Sequence, residues 1–159
     1  MAHYSLALAG WTPVAHADGA SALANSSYHA WRTTTASTLR IIEAIIGGEA
    51  TASTVNRMAI RRLSTNASTP TDVAPGPLNP LSAAAVSQQY SAATTGPTIA
   101  STTHLLNLAF NAFGGFVRWV AAPGEELWFT AQTAPNGQGV LDSISGTGLV
   151  STSLIFEEL

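Results

Sequence analysis

Between Phe116 and Ala131 the chain alternates apolar and polar side chains, is interrupted by Pro123-Gly124, and then alternates again. Val117, Trp119 and Ala121 share one face, with Arg118 on the other; Leu127, Phe129 and Ala131 repeat the pattern beyond the turn residues. A period of two places successive side chains on opposite sides of a pleated backbone, so this pattern constrains the segment to strand, tight turn, strand, with one face in a core. An antiparallel sheet is therefore the unit from which the fold is expected to be built.

The same period recurs along the chain. Leu39 to Ile46 carries four isoleucines among eight residues. Leu39, Ile42 and Ile46 also share a helical face that Gly47 would end, but β-branched side chains favour a strand, buried on both faces. Met58 and Ile60 alternate with Arg57 and Arg61. Leu106, Leu108 and Phe110 alternate with Asn107 and Asn111, and Gly114-Gly115 then reads as the two-residue turn of a hairpin. In the last strand Val150, Thr152, Leu154 and Phe156 share a face. His3 to Ala9 alternates weakly, as an edge strand does, and Tyr28 to Thr33 forms a short aromatic strand. Asp18-Gly19, Asn136-Gly137 and Gly146-Thr147-Gly148 supply turns. About seven or eight short strands with no internal repeat give an all-β fold, an antiparallel β-sandwich of jelly-roll-like type, within a single domain over 1–159.

Residues 64–103 differ in character. Pro70, Pro75, Pro77, Pro80 and Pro97 stand among Ser, Thr and Ala, with few large apolar side chains. Proline removes ladder donors, which excludes a run of central strands. The segment is expected to be a long Pro-rich excursion, an extended arm that orders against a neighbouring subunit.

Composition limits the partners. Only 9% of the 159 residues are charged, lysine is missing, and the net charge is −3. A basic face for a phosphate backbone is not available, so no nucleic-acid partner is expected. No apolar run reaches bilayer-spanning length and no basic leader precedes Tyr4 to Ala9, so no membrane partner is expected and the cytoplasm is the default compartment. Sparse charge fits a surface covered by copies of the chain or by a partner. It equally fits compositional drift in a high-GC genome.

Chemistry-bearing sets are sparse. Without cysteine there are no disulfides or thiolate sites. His3, His16, His29 and His104 lack the spacing that brings two imidazoles to one metal and read as surface or turn residues. His104 and Asp142 with any of many serines make a formal triad that carries no information, since a nucleophile-elbow motif is absent. Glu125-Glu126 and Glu157-Glu158 point to opposite faces as strand neighbours and read as solvated residues. No enzyme activity and no cofactor are expected. Arg57, Arg61 and Arg62 are the one basic cluster, either an anchor for carboxylates on a partner or a solvated strand face with in-chain partners such as Glu43. Of Trp11, Trp31, Trp119 and Trp128, Trp119 reads as core. Trp128 points away from Leu127 and Phe129 and is the candidate for a partner contact.

The runs Leu39 to Ile46 and Ala52 to Arg62, the Pro-Gly turn, and the final strand ending Phe156-Glu157-Glu158 are similar to small proteins encoded in tailed-phage structural regions. In these residues the chain resembles capsid decoration (cement) proteins. The resemblance implies a non-catalytic β-sandwich on the outer virion surface, assembled in the host cytoplasm. Its partners would be the major capsid protein and itself, as a homotrimer, and it transfers no specific functional residue. The runner-up expectation is a carbohydrate-binding jelly roll of a head or tail fibre, using Trp128 or Trp31 over a sugar face.

Overall fold

The computed structural model describes residues 1–16, 22–35, 37–130 and 136–159, with the backbone alone at 101–103. The turn expected at Asp18-Gly19 and the strand position of Ala131 lie outside the described residues. Thirteen strands and no helix are present among the described residues. They are β1 (Ala2–Trp11), β2 (His29–Arg32), β3 (Thr38–Gly48), β4 (Val55–Thr65), β5 (Ser68–Pro70), β6 (Gly76–Pro77) and β7 (Gln88–Tyr90). They continue with β8 (Ala93–Thr95), β9 (Thr98–Asn111), β10 (Phe116–Val120), β11 (Leu127–Thr130), β12 (Gln138–Ser145) and β13 (Val150–Glu158).

Two antiparallel sheets pack face to face as a sandwich. The first runs β10-β3-β13-β1-β6 with β11 also beside β3, and the second runs β7-β2-β12-β4-β9. β3 is a strand, as its isoleucines require. Leu39, Ile41, Ala44 and Ile46 face the core while Arg40, Ile42, Glu43 and Ile45 are half-buried on the other side. A register shift opposite Ile155 and Phe156 resets the alternation. The expectation of burial on both faces therefore fails for β3. Burial on both faces is found instead in β12 and in Met58–Arg61 of β4, in the second sheet.

The inter-sheet core contains Leu6, Trp31, Ile41, Met58, Phe129 and Phe156, all fully buried. A separate cluster of Tyr28, Leu63, Tyr90, Ile99 and Val140 lies on the far side of the second sheet. Residues from the connection after β1 and from the Pro-rich segment close over it, through bonds from the Leu23 amide to the Pro97 carbonyl and from the Ser26 amide to the Ser91 carbonyl. β12 is consequently buried from Gln138 to Ser143 without alternation.

Two expected hairpins are not hairpins. β10 and β11 both pair with β3, at Val120 opposite Glu43 and Leu127 opposite Ile41, in the same direction. Pro123-Gly124 thus marks a loop in one interrupted strand. Gly114-Gly115 joins β9, which pairs with β4 in the second sheet, to β10 in the first. Glycine permits the turn but does not decide which sheet receives the next strand.

The Pro-rich segment is not a free arm. β6 pairs with β1, β7 with β2, and β5 with β8. β9, which begins inside the expected excursion, runs along β4. Tyr90, Ala93 and Ile99 are buried apolar anchors hidden among Ser and Thr, and they hold the segment on its own sandwich. The prolines do keep it out of central positions, since its short strands add only at edges.

Candidate interaction surfaces

The three arginines of β4 do not form one surface cluster. Arg61 is fully buried on the far side of the second sheet, donating from Nε to Asp142 Oδ1 and from Nη2 to Asp142 Oδ2, each at 3.0 Å, and to the His16 carbonyl at 3.3 Å. It cannot anchor a partner. Arg62 turns toward the first sheet, donating to the Trp128 and Asn136 carbonyls at 2.8 and 3.0 Å, with its guanidinium 4.9 Å from the Phe129 ring. Desolvation by burial lowers its pKa from the ordinary value. Arg57 alone of the three is exposed. The expected in-chain partner Glu43 pairs instead with Arg118, at 2.5 Å.

Trp128 is the one exposed large aromatic among the tryptophans, at 39%. Trp31 and Trp11 are buried, which removes Trp31 as a sugar platform, and Trp119 packs partly buried against the core as expected. Register places Trp128 beside Arg40, Arg40 beside Glu157, and Glu157 beside His3, making one row across the first sheet. The Arg40 guanidinium lies 5.3 Å from the Trp128 ring centre, its Nε donates to Glu157 Oε2 at 2.5 Å, and His3 Nε2 lies 2.7 Å from Glu157 Oε1. Burial alone would raise the Glu157 carboxyl; the bonds from His3 and Arg40 outweigh it and hold the pKa below the usual value. Glu157 is therefore not a solvated terminal residue. Nor is Glu158, whose carboxylate accepts from the amides of Val86 and Ser87 at 2.9 and 2.6 Å and ties down the Pro-rich segment.

The reading of all histidines as surface or turn residues is also corrected. His29 is buried between the sheets, with Nε2 at 2.9 Å from Gln89 Oε1 and Nδ1 at 2.9 Å from Thr152 Oγ1. Because the amide oxygen only accepts, Nε2 carries the proton and Nδ1 accepts from the threonine hydroxyl. Burial, opposed by the Gln89 bond, pushes the imidazole down to about 4. A half-open cleft of about 170 Å³ lies beside it, lined by Leu8, Thr71, Val73 and Tyr90 among others. His16, beside Asp142 at 3.8 Å, is held below its ordinary pKa by burial and by the Arg61 charge. His104 bonds Asn107 at 2.9 Å, and Asp142 is engaged with Arg61, so no triad assembles from them. No group of three or more metal-ligating side chains occurs among the described residues.

A surface the sequence pattern did not reveal lies on the Pro-rich segment. Leu78, Leu81 and Val86 expose 54, 92 and 53% of their area. The turn that carries them is braced. The Leu81 amide donates to Asn79 Oδ1 and the Ser82 amide to the Asn79 carbonyl, while the Leu78 amide reaches the His3 carbonyl. On its far side Tyr4 Oη donates to the Ala83 carbonyl at 3.0 Å. The Asn-Pro-Leu order was a usable signal, since asparagine readily closes such turns on its own backbone. No protein-family model, curated protein or solved structure matches this chain.

Proposed function

We propose that the chain is a structural virion protein that binds the outer surface of a tailed-phage capsid and stabilises the head by bridging neighbouring capsomers. Its partners are the major capsid protein and copies of itself. The observation that carries this reading is the apolar tip at Leu78, Leu81 and Val86, where a braced backbone holds large side chains out in water for a partner to cover. A backbone braced in this way loses little conformational freedom on docking, so more of the burial energy survives as affinity. A protein attached at several points to a shell gains further by effective concentration, so each contact can be weak. The class of partner is the one that the resemblance read from the sequence of β3, β4 and β13 implies.

Fully burying a leucine is worth about 1.5–3 kcal/mol, so Leu81→Asp is expected to weaken single-site binding roughly tenfold to hundredfold. Cosedimentation with purified heads tests it, with circular dichroism as the fold control. A folded variant that still binds like the parent contradicts the assignment of the tip. A point substitution is the sharper test, because β6 and β7 also seal sheet edges and deletion of the whole segment would cost the fold itself.

The glycan-binding alternative now rests on Trp128, whose ring has Arg40 beside it. A glycan array in which binding is lost in Trp128→Ala would favour it over capsid docking.

A further inference from the structure

The two sides of the sandwich are finished differently. On one side the Pro-rich segment closes both sheets, with β6 covering β1 and β7 covering β2. On the other side β9 and β10 are the outermost strands, and among the described residues no strand pairs with their outward edges, where an isolated bridge from Ala22 meets β9 at its Thr98 end. β9 is 14 residues long. From Leu106 to Asn111 it runs against Ile60 to Val55 without a register shift, and its irregularities all fall toward the Thr98 end. The regular part presents an unbroken run of backbone donors and acceptors.

Edges of this kind are normally blunted by a charge, a proline or a bulge, because an open edge is a template for another strand. Leu106–Asn111 has none of these. No Asp, Glu, Lys or Arg occurs anywhere between Asp72 and Arg118. At the Asn111 end of this edge, Phe113 and Phe116 expose 59 and 74% of their area, and Val55, opposite Asn111, is exposed as well. Two charges lie nearby: Arg118, which is paired with Glu43, and the exposed Arg57, which stands one strand in from the edge, on β4 opposite Ala109.

We infer that β9 pairs antiparallel with β9 of a second copy of this chain, about a two-fold axis through Leu106–Asn111, making one continuous sheet from the second sheet of each copy. The charge pattern selects the occupant. At a two-fold axis every side chain near the centre meets its own copy, and like charges facing across strands are destabilising. A strand that meets itself must therefore be free of charge, as this one is. An edge built for a different surface gains speed and specificity from charges of complementary sign, and this edge offers none. The exposed Asn107 and Ala109 would face the partner strand's outer side without cost, and Phe113 and Phe116 would lose water at the flanks. Self-pairing at this edge depends on no capsid. It also differs from the threefold arrangement that the resemblance implies, since a two-fold contact gives even-numbered assemblies.

The test is light-scattering mass of the full chain in solution, with Asn107→Lys/Ala109→Lys as the variant. Both positions are exposed, so the fold is expected to persist, and Ala109→Glu alone serves if the double variant does not fold. The parent is expected at twice 16.4 kDa and the variant at 16.4 kDa. Added salt should partly restore pairing in the variant by screening the new charges. Backbone amides in 106–111 should exchange more slowly in the parent than in the variant. A monomeric or trimeric parent, or a variant that stays dimeric with unchanged exchange, overturns the inference. Head binding by a parent that proves monomeric would separate failure of this inference from failure of the capsid reading.

Discussion

Replacing Asp142 by leucine leaves the Arg61 guanidinium charged in a place that water does not reach. The two residues sit diagonally on β4 and β12, with Arg61 opposite Val140 and Asp142 opposite Ala59. Both are fully buried, and two parallel N–H···O bonds of 3.0 Å join them. Breaking a buried pair from one side costs about 3–5 kcal/mol, because the remaining ion keeps its desolvation penalty and loses its compensation. At about 2–4 °C per kcal/mol for a chain of this size, Asp142→Leu or Arg61→Met should lower Tm by about 6–20 °C. The double variant Arg61→Met/Asp142→Leu leaves no ion in the interior and should return to within about 1 kcal/mol of the parent, or exceed it. Urea unfolding followed by circular dichroism gives these differences, provided the slope with denaturant is unchanged. If either single variant loses less than about 1 kcal/mol, the pair behaves as a solvated surface bridge. The second sheet would then not be covered on its far face, and the two-core description would fail.

Two further outcomes are expected. The unfolded His29 imidazole takes up a proton near its ordinary value of about 6.5, while in the folded chain burial holds it neutral down to about 4. Stability from this group is therefore full above the unfolded value and is lost as pH falls from there toward 4, by roughly 3 kcal/mol. His29→Gln should flatten the dependence measured by urea midpoints across that window, and an unchanged slope would assign it elsewhere. At Gly139 an added Cβ would stand 2.4 Å from the Phe129 ring and 2.6 Å from Trp31. Gly139→Ala is accordingly expected to cost about 1–3 kcal/mol by overpacking, and a melting point equal to the parent's would show that the rings give way freely.

The faces of individual strands were legible because a period of two needs no knowledge of neighbours. β11 and β13 turn inward the described residues that alternation assigned, and Trp128 points outward as it should. What alternation does not carry is which strand lies beside which. Pro123-Gly124 and Gly114-Gly115 are real turns, yet one interrupts a strand and the other changes sheets. Arg61 looked solvated because its strand face is covered only by segments distant in sequence, and its partner Asp142 lies 81 residues away. His29 was misread for a related reason. Its burial depends on Thr152 and Gln89 arriving from two other strands to satisfy both ring nitrogens. The exposed Leu81 escaped notice because an isolated leucine among Ser and Ala has no periodic context. The capping role of Glu158 depends on where the Pro-rich segment folds back.

Quantitative mass spectrometry of purified phage particles is the most direct test of the capsid-binding role. The chain is expected in the particles at a fixed ratio to the major shell protein, and that ratio should fall in particles grown with Leu81→Asp. Particles that lack the chain, or hold it in amounts that vary from preparation to preparation, would contradict it.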